Sequence, residues 1–364
     1  MNAGPSRAAC PQCFAKAQAA GEAKCRACGA KFPPGWAASH VTTVVMAGAR
    51  ASGKSHYIAS MVPELSHYID TTFAASGATL SPMGETRDHI AEHYIIPVTG
   101  IDPRTREPAV DPETGRPVVP QRLKSTPPQD GADAHQKEPL IWSMGEIGGI
   151  TRYLVVRDVA GEDLKQPVKD DRFPFLKRAD ALLMLFDPLT VPGVNSLLRD
   201  EQREEVGPPA DLIWDNIRAL RDSLGPGSPW PMVGVVLAKF DELQALKDKQ
   251  DVEWSYIMSN AGARFFQEQP PEARPHLDQS GRLVPGNPTD AIRLSEEIES
   301  LLDLAGGHKD AFLARVKPFN PQFFAVSSLG SPIRGMRIAP EGVCRFRVLD
   351  PLTWVFNVCW FRAP

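Results

Sequence analysis

The sequence predicts an α/β protein, a three-layer sandwich around a mostly parallel sheet, preceded by a small cysteine-rich module. Apolar, β-branched segments of strand length alternate with segments of helical spacing, a pattern typical of parallel sheets. Four of the six cysteines fall within the first 28 residues as two CxxC pairs. We therefore expect a cysteine-rich module in residues 1–31, a linker in 32–40 and one large domain in 41–364.

Composition excludes several classes of protein. The chain has 364 residues, a hydrophobic fraction of 42% and a formal net charge of −4, so it is not built to coat nucleic acid or an anionic membrane. No segment approaches the roughly 20 apolar residues that a membrane-spanning helix needs. The first residues lack the apolar core of a secretory signal. We expect a cytoplasmic protein without a membrane span.

Six apolar segments are predicted as strands of the sheet. They are residues 41–47, 140–144, 153–156, 181–186, 233–237 and 323–326. The second and third are expected to pair across the turn Gly148–Gly149. Helical spacing in 289–304, carried by Ile292, Leu294, Ile298, Leu301 and Leu302, predicts a helix, and the apolar segment 351–361 predicts a last helix packed on the sheet.

Two segments of the large domain are predicted to be insertions, at about 97–139 and 242–288. Nine prolines fall in the first of them, together with a near-repeat, DPRTREP from Asp102 and DPETGRP from Asp111. Asp-Pro and Thr-Gly pairs favour turns. We expect two successive turns and little regular structure there.

Residues 48–55 read GARASGKS, directly between a predicted strand and a predicted helix. Glycines let the backbone fold tightly, so that its N–H groups point at phosphate oxygens near the positive end of the helix. Lys54 is expected to reach the β- and γ-phosphates and Ser55 to bind Mg²⁺. This P-loop predicts a P-loop NTPase fold, and its expected nucleotide-binding residues are Gly48, Ser52, Gly53, Lys54, Ser55 and His56.

Three more motifs follow predicted strands in chain order. In DVAGE, Asp158 is suited to hold Mg²⁺ through water, and the Gly161 amide is free to meet a γ-phosphate. In AKFD, the Asp241 carboxylate can accept two hydrogen bonds from guanine, whereas adenine lacks both donors, and Lys239 would lie along the base. In SSLG, formed by Ser327, Ser328, Leu329 and Gly330, backbone amides could meet the guanine O6.

With these four ordered motifs, the sequence resembles the Ras-like and translation-factor-like (TRAFAC) GTPases, and within them the bacterial double-GTPase group. The phrases LFDP from Leu185 and VLDPLTW from Val348 also resemble that group. The resemblance implies GTP and GDP as ligands, Mg²⁺ as cofactor, and GTP hydrolysis that drives a molecular switch in bacterial signalling or defence. It also implies a protein partner or effector.

The resemblance further implies catalytic roles for Lys54 and Glu162 and for a switch threonine before DVAGE. Thr126, in KSTPP, is the candidate, and an ordinary loop threonine is the alternative. Glu162 stands where Ras-like enzymes carry the glutamine that orients water, and Arg50 stands where they prefer glycine. Both departures leave intrinsic hydrolysis open, so a partner could stimulate it, or the protein could be a nucleotide-bound adaptor that does not hydrolyse.

The guanine motif also departs from the family pattern, since it begins with Ala238 rather than asparagine or threonine. The alanine removes a side-chain hydrogen bond that contributes about 0.5–1.5 kcal/mol net. An ATPase of the wider P-loop class is therefore an alternative reading.

The N-terminal cysteines, Cys10, Cys13, Cys25 and Cys28, form two CxxC pairs separated by eleven residues. Such pairs complete a tetrahedral Zn²⁺ site with no open position, so a structural zinc ribbon is predicted. A redox CxxC motif is the alternative. Residues 1–31 carry five basic residues and one acid. Contact with nucleic acid, docking of a protein and capping of the large domain all remain open.

Overall fold

The computed structural model describes residues 9–15, 23–121, 123, 138–165, 176, 178–197, 210–224, 230–248, 252–306, 311–330 and 345–361. Within this part of the chain, nine strands form a seven-stranded sheet and a separate two-stranded one. The strands are β1 (His40–Gly48), β2 (Ser81–Pro82), β3 (Leu140–Ile147), β4 (Ile150–Asp158), β5 (Ala181–Phe186), β6 (Met232–Leu237), β7 (His276–Leu277), β8 (Leu283–Val284) and β9 (Gln322–Ala325).

The large sheet has the order β2-β3-β4-β1-β5-β6-β9. Strands β4, β1, β5, β6 and β9 run parallel, β3 is antiparallel to β4, and β2 is antiparallel to β3. All six predicted strands are confirmed, as is the turn at Gly148 and Gly149, both of which have positive φ angles. The order places β1, which leads into the P-loop, between two parallel neighbours.

Helices cover the sheet. The helical segments are Lys54–Thr72, Thr86–Ile90, Ala91–Ile95 (a π-helix), Ile96–Thr99, Gly161–Leu164, Pro192–Asn195, Asp211–Ser223, Phe240–Gln244, Val252–Met258, Thr289–Gly306, Ala311–Val316 and Asp350–Cys359. Every residue of β5 is buried, so both faces of the sheet are covered, which gives the predicted three-layer α/β fold. No helix in the described part of the chain is long and apolar enough to cross a membrane.

The predicted last helix is confirmed at Asp350–Cys359, where Leu352, Val355 and Phe356 are fully buried. In the region of the near-repeat, Ile101 and Val110 each form an isolated bridge, to Pro108 and Pro117 respectively. These bridges close the two successive turns that the repeat predicts. The boundaries of the domains and of the insertions stay predictions.

One apolar residue of the predicted helix 289–304 lies on its exposed side. The helix is present at Thr289–Gly306, and Leu294 and Ile298 are fully buried, but Ile292 is 49% exposed. The buried residues follow the i, i+4, i+7 spacing of one helical face. Ile292 lies two positions before Leu294, about 200° around the helix at 100° per residue, so its inclusion in the buried stripe was wrong.

Truncation of these two side chains tests the correction. We expect Leu294→Ala to lower the free energy of unfolding by about 2–5 kcal/mol, because it opens a cavity in the core. Ile292→Ala is the matched control and should change it by about 0.5 kcal/mol or less. Urea unfolding measures both, and equal losses in the two variants would contradict the assignment of the buried face.

Candidate functional site

The parallel strands end at one edge of the sheet, and all four motifs lie there. The P-loop follows β1, Asp158 ends β4, AKFD follows β6 and SSLG follows β9. Because carboxyl ends of neighbouring parallel strands meet at the same edge, residues far apart in sequence converge.

The P-loop backbone turns sharply into the helix Lys54–Thr72. Gly53, which precedes that helix, has φ of 90°, and Ala51 has φ of 64°. A Cβ added at Gly48 would lie 2.5 Å from the carbonyl oxygen of Leu185 and 2.6 Å from Ser52 Oγ. The loop is therefore closely wrapped, and its amides at the helix N-terminus suit an anion.

Lys54 and Asp158 form a buried ion pair. Lys54 Nζ lies 2.7 Å from Asp158 Oδ1, and the two side chains are 6% and 3% exposed. The hydroxyl of Tyr94 donates to the other carboxylate oxygen, Oδ2, at 2.8 Å. Each oxygen of Asp158 therefore has its own partner, and the lysine compensates a charge that burial alone would disfavour.

Tyr94 is a site residue that sequence reasoning missed. It lies in the π-helical segment Ala91–Ile95 and is 2% exposed. Burial and the neighbouring Asp158 raise the pKa of its phenol far above the usual value, so it remains a proton donor. π-Helical turns occur often at functional sites. No pattern in the sequence marked this tyrosine, because its partner is 64 residues away.

Gly161 lies directly against the P-loop. A Cβ added there would overlap the carbonyl oxygen of Gly48 and lie 3.0 Å from Ala49 Cα. Glu162 follows in the short helix Gly161–Leu164 and is half-buried. The candidate switch threonine, Thr126, lies outside the described residues.

The AKFD loop is held by the carboxylate of Asp187. Lys239, with φ of 55°, places Nζ 2.6 Å from Asp187 Oδ2, and Asp187 Oδ1 accepts a bond from the backbone of Leu189 at 3.0 Å. Asp187 was missed as a site residue. Its position directly after the predicted strand 181–186, within LFDP, was the available signal.

Asp241 and Ser327 join the AKFD and SSLG loops. The Ser327 hydroxyl donates to Asp241 Oδ1 at 2.6 Å. Burial raises the pKa of Asp241, and the bond from Ser327 and the charge of Lys239 oppose that rise. The Ser60 hydroxyl of the P-loop helix donates to the Ser328 carbonyl at 2.8 Å, so both loops are tied to that helix.

The remaining predicted residues lie around these contacts. Ser55 is half-buried in the first turn of the helix, and Leu329 is buried. His56 is buried with Nε2 accepting from the backbone N–H of Leu123 at 3.2 Å. The methyl group of Ala238 is packed near Gly53, where an added Cβ would lie 3.3 Å from it.

The four N-terminal cysteines form one cluster. Their Sγ atoms all lie within 4.8 Å of one another, with Cys10–Cys28 at 3.7 Å and Cys13–Cys25 at 3.6 Å. A tetrahedral Zn²⁺ with Zn–S bonds of about 2.3 Å requires S···S distances of about 3.8 Å, so the donor set fits zinc. Burial raises the pKa of the Cys10 and Cys13 thiols. Zinc binds cysteine as the thiolate, so binding of the ion there would release protons.

The two knuckles share a backbone geometry. In the first, Phe14 has φ of 59° and donates its N–H to the Cys10 carbonyl at 2.9 Å. In the second, Gly29 has φ of 78° and donates to the Cys25 carbonyl at 2.8 Å. The repeated turn aims both thiols of each pair at one point, as the spacing predicts.

Comparison with known proteins shows what this chain is similar to. No family model matches the chain. The putative ESX-1 scaffolding and assembly protein SaeC of Mycolicibacterium smegmatis is 33% identical over 348 residues, which cover 91% of this chain and 78% of that protein. The crystal structure of the S. cerevisiae Ski7 GTPase-like domain bound to GTP matches 90% of this chain with a TM-score of 0.37 and 10% identity. The chain spans about half of that protein's chain, 51%.

The cysteine cluster leads to a prediction about metal content. We expect one zinc per chain in the purified protein, lost when Cys13 and Cys25 are replaced by serine, because the two thiolates that remain bind zinc far more weakly than four. Cys359→Ser is the matched control, since Cys359 is buried in the last helix outside the cluster. Elemental analysis measures the ratio. Zinc that persists in the Cys13→Ser/Cys25→Ser variant would contradict the cluster as its site.

Proposed function

This chain belongs to the family of the putative ESX-1 scaffolding and assembly protein SaeC, and we propose that it is a GTP-binding molecular switch that serves assembly of a protein complex. Its GTP hydrolysis is slow or stimulated by a partner. The proposed structural zinc ribbon is packed on the domain that carries the nucleotide-binding motifs. The name of the relative points to protein partners, and the nucleotide site supplies the switch.

One observation supports the proposal most strongly. Four loops that carry phosphate-binding, Mg²⁺-binding and base-binding residue types meet at one edge of the sheet. Lys54 forms an ion pair with Asp158 there, and Ser327 donates a hydrogen bond to Asp241. A convergence of ordered motifs is more specific than any one motif. Lys54 and the P-loop amides would bind the β- and γ-phosphates.

Ser55 and Asp158 would hold Mg²⁺, which neutralises charge on the phosphates. Tyr94 would then orient the Asp158 carboxylate, because it donates to Oδ2 while Lys54 holds Oδ1. The Gly161 amide, next to the P-loop, would face the γ-phosphate. A carboxylate at Glu162 cannot supply the side-chain amide with which Ras-like enzymes orient water. Intrinsic hydrolysis should therefore be slow.

Two alternatives have specific support. A nucleotide-bound adaptor without hydrolysis is favoured by Glu162 and by the scaffolding relative. An ATPase is favoured by Ala238, whose buried methyl group cannot hydrogen-bond to a base. Titration calorimetry with GTP, GDP and ATP in Mg²⁺ distinguishes an ATPase from a GTPase. Single-turnover hydrolysis with and without a partner distinguishes a non-hydrolysing adaptor from a switch that hydrolyses GTP.

Removal of Lys54 tests the phosphate site. We expect Lys54→Ala to abolish GTP binding, since it removes the ammonium group that faces the phosphates. It also leaves Asp158 buried without its counter-charge, which costs about 3–5 kcal/mol of stability. The double variant Lys54→Ala/Asp158→Asn relieves that cost and should still fail to bind. Lys247→Ala, at an exposed lysine, is the control. GTP affinity retained by a folded double variant would remove the P-loop assignment.

The base is tested at Asp241. A bidentate carboxylate–guanine contact is worth on the order of 2–4 kcal/mol against adenine, a preference of roughly 30- to 1,000-fold for GTP. We expect Asp241→Asn to erode that preference and to improve XTP binding, because an amide can donate to the C2 oxygen of xanthine. The amide retains an oxygen that can accept from Ser327. Competition of GTP, ATP and XTP against a fluorescent nucleotide measures it, and equal wild-type affinities for GTP and ATP, unaltered by the substitution, would favour the ATPase.

A further inference from the structure

Arg157 joins the zinc ribbon to the nucleotide site. It lies on β4 directly before Asp158 and is 6% exposed. Its Nη2 donates to the carbonyl oxygens of Pro11 and Gln12 at 2.9 and 2.7 Å. Both carbonyls belong to the turn between Cys10 and Cys13, so a single guanidinium holds the first knuckle of the ribbon.

The same knuckle is packed into the large domain. Phe14, directly after Cys13, is 2% exposed and belongs to the main hydrophobic core. The Arg157 guanidinium lies over its ring at 5.4 Å. Trp36 Nε1 donates to the Ala9 carbonyl at 3.1 Å, which adds a third polar tie at this junction. The second knuckle differs, since residues 26–29 are exposed.

The contact reaches the nucleotide site through one strand. In the register of β4 with β1, Arg157 stands opposite Val45 and Asp158 opposite Met46. Successive residues of a strand point to opposite faces. The ribbon therefore fixes β4 from one face, while Lys54 and Tyr94 engage Asp158 on the other.

We propose that Arg157 couples the metal-organised knuckle to Asp158, so that zinc and Mg²⁺–nucleotide bind with positive cooperativity. The proposal rests on the proposed nucleotide-binding function. Two adjacent carbonyls converge on one guanidinium only while the CxxC turn is formed, and zinc forms that turn. The bound metal holds the turn, the turn holds Arg157, and Arg157 holds the strand end that carries Asp158. Arg157 is thus a positioning residue rather than a ligand of either group.

Coupling of this kind is reciprocal. If zinc tightens nucleotide binding by some factor, nucleotide must tighten zinc binding by the same factor. Couplings between protein sites are typically about 5- to 150-fold. We therefore expect saturating Mg²⁺–GTP to slow zinc release from the intact protein by at least about fivefold. The four cysteine ligands are the same with and without the nucleotide.

The experiment follows zinc transfer from the full-length, zinc-loaded protein to a colorimetric chelator, with and without Mg²⁺–GTP, beside calorimetric GTP binding. Arg157→Lys should bring the nucleotide effect on zinc release close to onefold, because an ammonium group cannot hold both carbonyls in the planar geometry of a guanidinium. Arg152→Lys is the matched control. Arg152 lies on the same strand and is 3% exposed, but its side chain bonds the Ile147 carbonyl and packs over Trp360. This variant should keep the wild-type coupling.

The outcomes separate the coupling from the nucleotide site. GTP that binds the wild type yet leaves zinc release unchanged overturns the coupling and spares the proposed function. Undetectable GTP binding overturns both. Equal coupling in wild type and Arg157→Lys overturns the role of Arg157. The wild-type comparison needs no variant, so poor folding of Arg157→Lys does not remove the test.

Discussion

The ion pair between Lys54 and Asp158 is the interaction on which the site depends. Asp158 ends β4, and Lys54 begins the helix that follows β1 through the P-loop. Because β1 and β4 are parallel neighbours, Lys54 Nζ lies 2.7 Å from Asp158 Oδ1. An unpaired charge at either position would be strongly disfavoured by burial. The ion pair therefore joins the end of β4 to the P-loop, at the place where Gly161 lies against Gly48.

Much of the fold could be predicted because its signals are local. Apolar β-branched segments identify the strands, and GARASGKS carries its own chemistry in eight residues. What the sequence did not predict depends on long-range packing. Tyr94 reaches Asp158 only because a π-turn carries it there. Ile292 is apolar, but it lies on the exposed side of its helix. Asp187 was visible at a strand end, yet its lysine partner is 52 residues away.

The zinc ribbon shows how a segment too small for its own core becomes part of a larger one. Its cysteines supply local order, and Phe14 is the side chain of its described residues that belongs to the main hydrophobic core. The predicted linker is also packed, since Trp36 is 2% exposed and its ring centroid lies 5.1 Å from that of Tyr153, and the Tyr153 hydroxyl donates to the Pro34 carbonyl. The ribbon therefore has a fixed orientation, with its first knuckle inward and its second toward solvent.

The π-turn at Ala91–Ile95 also constrains how this family can evolve. A π-turn accommodates one residue more than an α-turn. Deletion of one residue there would restore the α-helix and rotate Tyr94 by about 100°, away from Asp158. The exposed turns that follow, at Asp102 and Asp111, carry no such constraint on length. Relatives should therefore gain and lose residues in the turns while the helical segment keeps its length, so that alignment gaps alone would reveal which part of this region serves the proposed nucleotide site.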